Sequence, residues 1–172
     1  MLASGSAWRI LEAEHDQLRQ LLDAIRRALE GEAWRQPGPG LEVLRALVQD
    51  FQEFEMKTHR PKGVVLLGSV RGRLAEADRL LDEIEAESDE SERCLLLAVA
   101  LLDALSAGGE PDRGEISALL GRHRELMTRQ LDQEDTALRS YTAQLLTAQE
   151  WSSVVSSISK VVQQARRTEP RR

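Results

Sequence analysis

Thiol chemistry is almost absent from this chain. Its single cysteine, Cys94, permits no internal disulfide, so a reducing compartment is expected. Aromatic residues make up only 3% of the sequence, while leucine and alanine dominate, a balance that favours helices with Leu, Ala and Val stripes. Basic charge is also scarce: 23 Lys and Arg face 29 Asp and Glu, and the net charge of −6 argues against a nucleic-acid surface. The one basic cluster, Arg166, Arg167, Arg171 and Arg172, falls in residues 166–172, which are expected to form a disordered tail. Long apolar runs are missing too. The longest, Cys94 to Leu102, is too short to span a bilayer, and no cleavable apolar leader begins the sequence, so a cytoplasmic protein without membrane contact is expected. No phosphate-cradling glycine loop, Ser-His-Asp spacing or catalytic carboxylate pair is visible, and an enzyme is not expected.

What the sequence does hold is helical periodicity over 172 residues, enough for one domain with a real core. In residues 6–31, Trp8, Leu11, His15, Leu18, Leu22, Ile25 and Leu29 recur three and four apart, the seam of a bundle helix, with histidine at a position that suits leucine. Gly31 and the run Gln36-Pro-Gly-Pro-Gly end it. A second helix is predicted from Leu41 to about Gly72, with Leu44, Val48, Met56, His59, Gly63, Leu66 and Val70 facing inward. Pro61 is expected to bend it, and Gly63 weakens it by about 1 kcal/mol against alanine. A third runs from about Leu74 to Ala107 with the seam Leu81, Ile84, Ser88, Ser91, Leu95, Ala98, Leu102 and Leu105. A fourth spans about Arg113 to Leu146 with Ile116, Leu120, His123, Met127, Gln130, Glu134, Ala137, Tyr141 and Leu145. Thr147-Ala-Gln-Glu150 reads as a capping box before a short final helix, whose apolar face, Trp151, Val154, Val155, Ile158 and Val162, is expected against the bundle's end. The fold expected is all-α: an up-down-up-down four-helix bundle with a short C-terminal helix, in a single domain over residues 1–165.

The helices also repeat in pairs. Shifted by 73 positions, Trp8 falls on Leu81, Leu11 on Ile84, His15 on Ser88, Leu22 on Leu95 and Leu29 on Leu102, and the word LEAEHD answers IEAESD. Shifted by 71, His59 falls on Gln130 and Gly63 on Glu134. Each of the second and fourth helices carries one half of a His-x-x-x-Glu pattern. That spacing places an imidazole and a carboxylate on one helical face.

The segment HRPKG, His59 to Gly63, resembles HHPKE, a metal-ligand segment of the hemerythrin-like (HHE cation-binding) family. EHDQLRQLL, THRPKGVVLL, the EAESD echo and LDQEDTALRSYTAQLLTAQEW extend the resemblance over about residues 6–160. The resemblance implies a bundle that holds two irons through histidines from all four helices and bridging carboxylates from the second and fourth. Position by position, His15, His59 and Glu134 match the implied ligands, whereas Gly63, Ser88 and Gln130 stand where ligands are lost. In the family the two histidines at the His15 and His59 positions serve one iron, so the losses fall on the other half-site. A normal diiron centre is not expected, because ligand number and negative charge are lacking.

The reading favoured by the sequence is a degenerate hemerythrin-like protein without a cofactor, acting as a non-catalytic binding or regulatory module, with His15 and His59 as core histidines paired to Glu134. The alternative is a protein that binds one iron or other divalent ion through His15, His59 and Glu134, handling oxygen, nitric oxide or iron. His123 is a candidate substitute ligand, although a seam histidine near a helix middle is more often a packing residue. A protein partner is allowed for, through an exposed face around Trp151. Neither nucleic acid nor membrane is expected, and the chain is read as a monomer or homodimer.

Overall fold

The computed structural model describes residues 2–167, and these are all-helical, with no strand among them. Helix α1 covers Leu2–Glu30, and a 3-10 turn follows at Ala33–Arg35. The second rod is α2 (Pro39–Phe54), a π turn at Glu55–His59, and α3 (Arg60–Val70). Helix α4 is Ala75–Ser106. The next rod is α5 (Arg113–Gln133), a π turn at Glu134–Leu138, and α6 (Arg139–Leu145), and α7 is Ala148–Arg167. Arg166 and Arg167, assigned to a disordered tail by the sequence, thus belong to α7, while the remainder of that expected tail lies outside the described residues. Among the described residues no helix is long and apolar enough to cross a membrane.

Local chemistry accounts for the helix ends. Asp112 caps α5 by accepting from the backbone N–H groups of Gly114 and Glu115. The expected capping box forms before α7: Glu150 accepts from the Thr147 N–H at 2.8 Å, and the Thr147 hydroxyl accepts from the Glu150 N–H at 3.3 Å. Gly40 is required where α2 passes the 3-10 turn, since a Cβ there would come within 2.5–2.7 Å of Ala33.

Packing is pairwise along α1 with α2 and along α4 with α5, and α7 lies on α3 and α1. Two apolar clusters result. One gathers Leu18, Leu22, Leu44, Phe51, Leu102 and Leu120 with their neighbours. The other gathers Trp8, Leu11, Leu66, Leu81, Leu138 and Trp151 with theirs. Trp151 is therefore a buried anchor of α7 rather than part of an exposed face, and α7 packs alongside the bundle's rods, not across its end. Between the clusters the chain passes through a buried polar layer: Glu14 and His15, then Glu55, His59 and Lys62, then Gln130 and Glu134. Burying such groups is costly unless each finds a partner, so this layer is where the fold departs most from a simple apolar core.

The π turns set where these two rods differ from the sequence expectations. Ahead of Pro61 the helix of the second rod widens, and the Arg60 N–H donates to the carbonyl of Glu55, five residues back. This places Pro61 in the first turn of α3, where a missing donor is harmless. Buried positions then run Leu44, Val48, Phe51, Glu55, His59, with Glu55 inward and Met56 48% exposed, contrary to the expected seam. In the fourth rod the extra residue of the second π turn moves the seam by one. Leu138 and Thr142 are buried where Ala137 and Tyr141 were expected.

Candidate metal centre

His15 from α1, His59 from the end of the first π turn and Glu134 from the start of the second converge in the polar layer. They are 0%, 1% and 4% exposed. A ligand atom from each lies within 4.8 Å of the others. The Nε2 atoms of His15 and His59 stand 3.1 and 3.2 Å from the same oxygen, Glu134 Oε2. His59 makes a hydrogen bond across that distance; His15 Nε2 lacks the alignment and has no hydrogen-bond partner. The two rings meet edge to face, with centroids 4.9 Å apart. Glu134 Oε1 accepts from the Gln130 amide at 2.8 Å, which fixes that side of the carboxylate.

A second ring of residues orients the first. The Asp135 carboxylate lies 2.6 Å from His15 Nδ1 and is held in turn by Arg19 at 2.7 Å. A carboxylate can only accept, so His15 Nδ1 carries the proton and Nε2 is the atom turned to the centre. On the other flank the Glu55 carboxylate lies 3.8 Å from His59 Nδ1 and is clasped by Arg60, which also reaches Glu92. The carboxylate hydrogen-bonded behind His15 is the arrangement that sets ring orientation and basicity in metal sites, whereas His59 Nδ1 is buried without a hydrogen bond, Glu55 standing beyond that distance. Beside the centre, Lys62 pairs with Glu14 and donates to the Thr58 carbonyl at 2.9 Å.

Electrostatics follow from these partners. Burial alone would push His59 down, but the Glu134 and Glu55 carboxylates overcome it and raise its pKa to about 10. Burial would raise Glu134, yet the two imidazoles hold its carboxyl well below the usual range. His15, His59 and Glu134 offer two imidazoles and one anion to one ion, a set that suits iron and other first-row divalent metals. They do not suffice for two. The other implied positions, Gly63, Ser88 and Gln130, carry no imidazole or carboxylate, although all three line one cleft of about 340 Å³ together with His59 and Glu134.

His123 is not part of the centre. Its Nδ1 lies 2.8 Å from the Ser91 hydroxyl and 3.2 Å from the Ser91 carbonyl, and its ring meets Phe51 edge to face at 4.8 Å. Burial, opposed only by the Ser91 carbonyl and the more distant Glu55 charge, lowers its pKa to about 4 from 6.5. Between these values the unfolded chain binds a proton that the folded chain refuses, so stability falls as pH is lowered through that window. The loss expected is ~3 kcal/mol, and urea denaturation of His123→Leu at pH ~7 and ~4 should show that share of the acid dependence removed.

The resemblance singled out all three central residues, each on a predicted helix seam, but the sequence reading missed Asp135, Arg19 and Glu55. Two of them were within reach: Arg19 follows His15 by four, and Glu55 precedes His59 by four, so each shares a helical face with its histidine. Asp135 was not, because successive residues of an α-helix point about 100° apart, and only the wider π turn brings Glu134 and Asp135 toward one side. No family model, curated protein or solved structure matches the chain.

Proposed function

We propose that this protein is a hemerythrin-like, up-down four-helix bundle in which one half of a two-metal site survives and binds a single divalent ion, iron among the candidates, without catalysing a reaction. His15 Nε2, His59 Nε2 and the Glu134 carboxylate hold the ion. The observation that carries this reading is the convergence of His15 Nε2, His59 Nε2 and a Glu134 oxygen within 4.8 Å in a buried layer, with His15 held through its other nitrogen by Asp135 and Arg19. Two imidazoles and one carboxylate turned to a single point make a ligand set for one ion. With three protein ligands, the bound ion keeps open positions and supplies Lewis acidity or reversible binding of a small molecule there. Asp135 aligns the His15 imidazole, Glu55 places a negative charge near His59, and apolar clusters flank the layer on both sides.

The experiment is metal analysis of protein purified without chelator, beside an anaerobically iron-loaded sample. About one ion per chain is expected. Near-zero metal in both samples would overturn the proposal and leave the paired core histidines of a metal-free binding module. Asp135→Asn, which keeps the shape but loses the charge behind His15, is expected to weaken the ion's affinity about 10–100-fold, read by competition with a chelating dye.

A further inference from the structure

His15, His59 and Glu134 are almost closed to water, so an ion that reaches them must pass between helices. On the α1 side the way is blocked. Asp135 stands behind His15 with Arg19 behind it, and the groove between α1 and α7 ends on the buried Lys62–Glu14 pair without touching any of the three ligands. The cleft of about 340 Å³ does reach them, since His59 and Glu134 form part of its lining. Gly63, one turn beyond His59, puts no side chain in its path, and a Cβ built there would meet nothing within 4 Å.

That cleft follows one joint of the bundle, between the second rod and α4. The joint is packed more lightly than those within the α1–α2 and α4–α5 pairs. A further cleft of about 390 Å³, lined by Val48, Gln52, Val99 and Leu102 among others, lies along the same joint. Ion pairs span it. Arg45 reaches Asp103 at 2.7 Å, Arg60 reaches Glu92 at 3.1 Å, and Arg71, just past α3, reaches Asp82 and Glu85 at 2.8 Å each. In these pairs every cation belongs to the second rod and every anion to α4. Partly exposed pairs of this kind hold weakly and yield to water, whereas a close-packed apolar joint does not part without opening voids.

On the strength of the single-ion site proposed above, we propose that this joint is the gate of the metal centre. The second rod and α4 part at the Arg60 and Arg71 pairs, and the ion enters and leaves along the cleft, past Gly63, to His59 and Glu134. Such an opening is a local event that leaves the rest of the bundle folded. A gate acts on both directions of passage, so a change in it alters uptake and release by the same factor and leaves the affinity as it was.

The test uses Co(II), whose visible absorption reports the bound ion, on the full chain. Uptake by chelator-stripped protein and release into excess EDTA are timed by stopped flow at fixed ionic strength. Arg71→Gln removes two of the pairs from a largely exposed position, and both rates are expected to rise about threefold. Faster release is the decisive sign, because losing a nearby positive charge would by itself hold the cation longer. Gly63→Leu lays a side chain across the cleft, and both rates are expected to fall about tenfold, with Kd and helical circular dichroism unchanged. Slower or unchanged release in Arg71→Gln, or unslowed release from folded Gly63→Leu, would overturn the gate while the wild type still binds one Co(II) per chain. A wild type that binds no Co(II) would overturn the single-ion site and the gate together.

Discussion

Glu134→Ala is expected to destabilise the metal-free protein by ~3–5 kcal/mol and to abolish metal binding. The reason is how much one carboxylate does. Its Oε2 faces both imidazoles at 3.1 and 3.2 Å, and its Oε1 takes the Gln130 amide at 2.8 Å, all within a layer almost closed to water. Removing it leaves His59 with only Glu55, 3.8 Å from its other nitrogen, and leaves the Gln130 amide without an acceptor. Breaking a buried pair by deleting one partner costs more than the pair contributes, because the survivor stays buried and uncompensated. Glu134→Gln separates shape from charge: it keeps an acceptor for one neighbour and is expected to lie between wild type and the alanine variant.

The pH dependence of that loss has a definite sign. Glu134 has a folded pKa below its ordinary 4.5, so its contribution is present above that value and is lost as pH falls. His59 is raised to about 10, so its contribution is full below 6.5 and disappears as pH rises through about 10. Wild-type stability should therefore decline on both sides of neutrality, and Glu134→Ala should flatten both limbs. Urea denaturation across that range measures this directly. An alanine variant as stable as wild type at neutral pH, or with unchanged alkaline decline, would remove Glu134 from the centre of the layer.

The legibility of this fold in its sequence was uneven for a physical reason. In α1 the seam Trp8, Leu11, His15, Leu18, Leu22 and Ile25 is buried and Leu29 at its end is half-buried, since an uninterrupted α-helix keeps one period. In the two rods that supply His59 and Glu134 the period changes within the helix, and there the expectations slipped: Met56 for Glu55, Ala137 for Leu138, Tyr141 for Thr142. A π turn inserts a residue without a mark in hydrophobicity, although Pro61 in the first rod was a hint that one backbone bond had to be forgone. The central residues survived the slip because they stand at its edges. Asp135 did not, because a charged residue reads as solvent-facing until its partner across the bundle, here His15, is known.

Restoring the lost positions is expected to change the metal content itself. In Gly63→Glu/Ser88→His/Gln130→His the chain should take up about two ions in place of about one. The structure makes this substitution feasible at each site. A Cβ at Gly63 has open space, Ser88 is half-buried at the cleft wall, and Gln130 is buried beside Glu134. All three line the cleft that also touches His59 and Glu134, so side chains introduced there enter one shared space. No single change should suffice. Two divalent ions in a buried layer need added anionic charge as well as imidazoles, and one new histidine supplies only the second. Metal analysis after anaerobic iron loading reads the result, with Gly63→Glu alone as the control expected to remain near one. Uptake of one ion or fewer by a folded triple variant would mean that Gly63, Ser88 and Gln130 do not occupy ligand positions, and would count against the hemerythrin-like reading of the chain.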